Sequence, residues 1–130
     1  MTAQQLLVAG AAVLAAAFAG SAAAQPTAEQ YVQVAHIEID PAQLEEYRAA
    51  VREQITAAIR DEPGVLVLYA VSDRDNPARV TVFELYRDVA AYQAHLASAH
   101  FKKYKAATEK MVKSLTLVKG DPILLGSKRG

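Results

Sequence analysis

Cysteine is absent from the sequence. That removes disulfides, thiol nucleophiles and cysteine-ligated metals together, so the fold must be held by its core in any compartment. An excess of either charge is missing too, because 14 Lys and Arg balance 14 Asp and Glu. Without a basic surplus, nucleic acid and anionic membranes are poor partners. There is no Gly-rich phosphate loop, no dinucleotide fingerprint and no Gly-x-Ser-x-Gly elbow, hence no warrant for a nicotinamide, a flavin or a nucleophilic serine. No internal repeat is found.

Charge is also missing locally. Leu6 to Ala24, LLVAGAAVLAAAFAGSAAA, carries none and then gives way abruptly to the polar QPTAEQ. This stretch reads as the apolar region of a signal peptide, and Ala22-Ala23-Ala24 supplies the small residues that signal peptidase accepts, which places the expected cut before Gln25. Met1 to Gln5 lacks Lys and Arg, so the α-amino group alone provides positive charge there. A spanning helix needs about 20 apolar residues, and this Ala/Gly-rich run is at the short end. Cleavage is therefore expected rather than anchoring. The expected division is residues 1–24 as signal peptide, 25–30 as linker and 31–128 as one domain, periplasmic or secreted, with no stable membrane insertion after cleavage. Removing 24 of 130 residues leaves chain for one modest core and excludes a second domain.

What is present is a regular succession of patterns. Tyr31 to Ile39 alternates Val32, Val34 and His36 with Tyr31, Ala35, Ile37 and Ile39, the period of a strand. Asp40, Pro41 and Gln43 open a helix, Asp40 as cap and Gln43 at capping-box spacing. Its apolar stripe, Leu44, Tyr47, Val51, Ile55, Ala58 and Ile59, runs until Pro63-Gly64 stops it. Glu45, Arg48, Arg52, Glu53 and Arg60 form a solvated opposite face. Val65 to Val71 and Val80 to Tyr86 read as strands joined by a turn at DRDNPAR. Asp88 caps a short helix to Leu96, and Ser98 caps another with the stripe Phe101, Tyr104, Thr108, Met111, Val112 and Leu115. Thr116 to Val118 is a last short strand, and Pro122 to Leu125 a further extended piece. The order β-α-β-β-α-β predicts an α+β fold of the ferredoxin-like kind, an antiparallel sheet in strand order 4-1-3-2 with helices on one face. The first strand is apolar on both sides, so the uncovered face calls for a second copy of the chain, a homodimer that the tail at Ile123 to Leu125 can reinforce.

Polar residues at odds with these surroundings are the candidates for chemistry. His36 and Glu84 fall on neighbouring strands and are expected on one face, either as a satisfied ion pair or as a catalytic pair. Glu84, between Phe83 and Leu85, needs a partner, and a histidine would serve. His100 falls at the start of the Ser98-capped helix, where the helix end disfavours imidazolium and suits a general base; a capping or packing role has equal weight. His95 has the weaker case. Three histidines and a glutamate invite a metal, but His95 and His100 are five apart rather than four, so no metal site and no cofactor are expected. The lysines at 102, 103, 105, 110 and 113 read as a solvated face.

The segment Glu62 to Tyr104 resembles the antibiotic biosynthesis monooxygenase family. The matching features are Glu62-x-Gly64 before a strand, Asp75-x-Pro77 in the hairpin, Glu84-x-Tyr86 at the end of the next strand, and His95 followed by Ser98-x-His100-Phe101. With the order of elements, the resemblance extends over essentially all of the expected mature chain. It implies a dimeric α+β barrel and a cofactor-independent monooxygenase that oxidises a quinol or other dihydroxyaromatic compound with O2. A deprotonated phenol can itself give an electron to oxygen, so the protein need supply only a base, an apolar pocket and donors for the developing oxyanion. The implied catalytic residues are His100 or His36 with Glu84 as orienter, and the implied substrate-binding residues are Tyr69, Tyr86, His95, Phe101 and Tyr104. Haem-degrading members carry tryptophan and histidine where this chain has Tyr86 and Lys105, so haem degradation is not expected. Two alternatives stay open: an isomerase of a small dione-type metabolite, which shares the His-Phe-x-x-Tyr pattern, and a non-catalytic dimeric module that binds hydrophobic phenolics.

Overall fold

A computed structural model describes residues 29–128, so the expected signal peptide and most of the expected linker lie outside the described residues. The chain forms β1 (Tyr31–Ile39), α1 (Leu44–Asp61), β2 (Val65–Ser72), β3 (Arg79–Tyr86), α2 (Val89–Ala97), α3 (Ala99–Thr108) and β4 (Val112–Gly120). The four strands make one antiparallel sheet in the order β2-β3-β1-β4. This is the ferredoxin-like α+β arrangement, with the second crossover helix broken into α2 and α3.

The two-residue period of β1 sorts its side chains as the pattern requires. Ala35, Ile37 and Ile39 are buried with Val80 and Val82 of β3 beneath Tyr47 and Val51 of α1. A second cluster joins Ala58 of α1 to Val65, Leu68, Tyr86 and Ala91. Val32, Val34 and His36 point to the other side, where their β3 partners are Leu85, Phe83 and Thr81.

Three local details depart from expectation. Asp40 does accept a hydrogen bond, from the backbone N–H of Ala42 at 3.0 Å, but it caps a 3-10 turn at Pro41–Gln43. Gln43 becomes the residue preceding α1 without a side-chain cap, so no capping box forms. The third helix ends at Thr108, and Met111, Val112 and Leu115 belong to the turn and to β4 instead. There a strand pairs with β1 from Val112 to Gly120, across a bulge at Glu38/Ile39, which satisfies backbone groups that a longer helix would have kept to itself. The segment 121–128 forms no strand, and Ile123 and Leu124 are exposed.

Candidate active site

The corner between α2 and α3 builds the site. Asp88 accepts from the N–H of Ala91 at 2.8 Å and so starts α2. Ser98 ends it and starts α3, donating its hydroxyl to the His95 carbonyl at 2.6 Å and accepting from the Phe101 N–H at 3.3 Å. The bend turns His95 and His100 toward the loop that ends α1. His95 Nδ1 lies 2.7 Å and His100 Nε2 2.6 Å from the same oxygen, Oε2 of Glu62. A carboxylate oxygen accepts, so both facing nitrogens carry the hydrogen. For His95 that leaves Nε2 as the unprotonated atom of the neutral ring.

His95 is 1% exposed, packed against Tyr86 and Phe101 with ring centroids 5.5 and 5.0 Å away. Its Nε2 is 3.5 Å from Nε2 of Gln54, a buried residue of α1. His95 and Gln54 share the wall of a cavity of about 300 Å³ between the helices and the sheet. Ala35, Ile37, Val82, Phe101 and Leu117 supply apolar wall, and Gln33, Glu84, Tyr92 and Tyr104 supply polar groups. On the β4 side of the cavity Leu115 and Leu117 face the helices yet remain 43% and 51% exposed. Such a cavity lies at the small end of ligand pockets.

Two hydroxyl networks back this wall. Glu84 Oε1 accepts from Tyr86 at 2.5 Å and Oε2 from Gln33 at 3.3 Å, while Tyr31 donates to Gln33. Tyr104 shares a 2.8 Å hydrogen bond with the fully buried Tyr47. Burial pushes the Tyr86 hydroxyl far above its ordinary range, with the Glu84 charge adding to the effect. Burial likewise raises Tyr104. Both therefore remain hydrogen-bond donors at neutral pH.

Of the residues expected at the site, His95, Phe101, Tyr104 and Glu84 line the cavity. Tyr86 stands behind Glu84, and His100 reaches His95 through Glu62. The expected pairing of His36 with Glu84 does not occur. The register sets Gln33 opposite Glu84 and His36 opposite Thr81, which puts the two residues on opposite faces of the sheet. Glu84 is satisfied by Tyr86 and Gln33, not by a histidine. Tyr69 is also remote from the cavity, opposite Phe83 on the uncovered face and 64% exposed. Residues not anticipated as functional are Glu62, Gln54, Gln33 and Tyr92. Glu62 was visible only as part of a motif, whereas Gln54 interrupts the apolar stripe of α1 between Val51 and Ala58, a signal that a buried polar role accompanies it.

Fold and site together define a small α+β domain with an apolar small-molecule cavity and a glutamate-oriented histidine in its wall. The chain belongs to the antibiotic biosynthesis monooxygenase family, whose model matches residues 30–107, and its function is of the monooxygenase type. A solved structure from Bacteroides thetaiotaomicron, provisionally named an antibiotic biosynthesis monooxygenase, is 47% identical over 78% of this chain and 97% of its own, with a TM-score of 0.75. Provisionally named members from Nitrosomonas europaea and Caulobacter crescentus share the fold at 20% and 21% identity. Their TM-scores are 0.69 and 0.70, with 77% and 75% of this chain and 96% and 93% of theirs covered. No curated protein matches the chain at a significant level.

Proposed function

We propose that the protein oxidises a quinol or other dihydroxyaromatic compound with O2, without a bound cofactor, and that His95 is the base. The observation that carries this is the orientation of His95: Nδ1 is held by Glu62 while Nε2 is directed toward Gln54, which lines the cavity together with His95. Nε2 takes the phenolic proton, and the Glu62 carboxylate stabilises the imidazolium that results. The electron-rich phenolate then reduces oxygen within an apolar enclosure. One oxygen atom enters the ring and the other leaves as water, so a dihydroxyaromatic gives a hydroxyquinone and the substrate supplies every electron. In this scheme Tyr104, in the cavity wall, donates to the oxygen on which negative charge collects.

His100 is a positioning residue in this scheme, since its Nε2 faces Glu62. The uncovered sheet face, with Val34, Phe83, Tyr69, Val71 and Val118, supports a homodimer. Residues 1–24 support export to the periplasm or medium, marked by a mature protein beginning at Gln25.

Oxygen uptake by metal-stripped protein with a panel of dihydroquinones tests the activity. Saturable uptake is expected, with His95→Asn lowering kcat by about 10²- to 10⁴-fold, the range for a lost general base. Tight binding of phenolics without uptake would instead establish a binding module, and unchanged turnover in His95→Asn would remove the base assignment.

A further inference from the structure

We propose that Glu62, His95 and His100 form a site for one late first-row divalent cation, represented by Zn²⁺, and that filling it withdraws His95 from proton abstraction. The second half rests on the oxygenase reading; the first does not.

Three segments each contribute one donor of the right chemistry: the loop after α1, the end of α2 and the start of α3. The donor atoms lie within 4.8 Å of one another. Two imidazoles and a carboxylate suit zinc and its neighbours. On a continuous helix, residues five apart diverge by about 140°. The break at Ser98 cancels that divergence and aims both rings at Oε2 of Glu62.

A cation would replace the two ring hydrogens now directed at that oxygen. With ligand distances near 2.0–2.1 Å, neighbouring donor atoms around tetrahedral zinc are roughly 3.3 Å apart, so the carboxylate oxygen must withdraw by about 0.6–0.7 Å. Small rotations of the Glu62 side chain supply that shift without moving the loop. Its side chain and that of His100 keep 15% and 18% exposure, which leaves a route for the ion and a water.

Gln54 provides an independent observation. Its Oε1 is buried and has no hydrogen-bond partner, while its Nε2 meets His95 Nε2 at a long 3.5 Å. Ligation through Nδ1 leaves the His95 proton on Nε2, and a ligating imidazole needs an acceptor for that hydrogen. Reversing the Gln54 amide presents Oε1 to it, giving the carbonyl the partner it lacks. The same Nε2–H cannot accept a phenolic proton, so the ion-bound and base-competent states of His95 exclude each other.

Calorimetric titration of the purified protein with Zn²⁺ alone tests the site. One ion per chain is expected, with affinity falling more than tenfold in Glu62→Gln, His100→Ala and His100→Asn, each checked for folding by circular dichroism. His36→Ala, on the far face, should bind as the parent does. Nitrogen-15 NMR of the His95 ring should show its proton on Nε2 only when zinc is bound. Absence of binding, or unchanged affinity in both folded His100 variants, overturns the site. Stoichiometric Zn²⁺ should also abolish oxygen uptake, reversibly with a chelator. Full uptake by the zinc-bound protein overturns the withdrawal of His95. A protein inactive toward every quinol when metal-free refutes the oxygenase reading, and the zinc isotherm still decides the site.

Discussion

Burial sets the behaviour of Tyr47 and Tyr86 more strongly than any partner does. Each hydroxyl titrates far above its ordinary value of 10.0, first because desolvation opposes the phenolate and then because of Tyr104 beside Tyr47 and Glu84 beside Tyr86. In the unfolded chain both return to about 10. Their contribution to stability is thus complete below about pH 10 and is lost as pH rises from there toward the folded values, because the unfolded chain releases its phenolic protons first. Thermal denaturation should show a Tm that is flat near pH 8–9 and declines above about pH 10. Tyr47→Phe should flatten that decline while costing about 1 kcal/mol for the lost hydrogen bond to Tyr104.

Elements place these residues by close approach. Gly64 sits where α1 gives way to β2, and a Cβ there would lie 2.5 Å from Cβ of Ala91 in α2. Its carbonyl also accepts from the N–H of Arg87 at 2.9 Å. This contact, not a left-handed backbone, gives the Glu62-x-Gly64 motif its physical meaning, since it sets the loop that presents Glu62 to His95. Gly64→Ala should destabilise by about 1–3 kcal/mol, as overpacked positions do. Urea denaturation would measure the loss, and a crystal structure would show Glu62 drawn away from the histidines.

The succession of strands and helices and the two-sided apolar β1 could be read from local periodicity, and the sheet order followed because that succession is the ferredoxin-like one. The pairing of His36 with Glu84 could not. It depends on register between two strands, and a shift of one residue exchanges faces. The end of α3 was obscured for a related reason: Met111, Val112 and Leu115 continue its helical spacing, while pairing with β1 claims Val112 and Leu115 for β4. Sequence spacing also concealed the meeting of His95 and His100, which exists only because Ser98 breaks the helix between them.

On the scale of the whole molecule, the helices spend their apolar faces on one side of the sheet. The other side keeps Tyr69, Val71 and Val118 at 64%, 59% and 47% exposure in the single chain. The proposed second copy would cover this face, where Phe83 and Val34 are apolar at positions that face away from the helices. Sedimentation equilibrium should report a dimer, and Phe83→Asp should shift it to monomer by placing a charge in the contact. Removal of the segment beyond Gly120 should weaken the dimer less, because Ile123 and Leu124 are exposed and belong to no strand of the sheet.

The Ser98 corner should also set the order in which the protein fails on heating. One hydroxyl holds the end of α2 and the beginning of α3, so loosening that single turn releases both histidines from Glu62 while the sheet and α1 remain packed. Catalysis should therefore fade several degrees below the cooperative melting of the fold, and should return on cooling, as activity and circular dichroism followed along the same temperature ramp would show. Ser98→Ala should widen the interval between the two transitions, making heat tolerance of the chemistry a property of one hydroxyl rather than of the core.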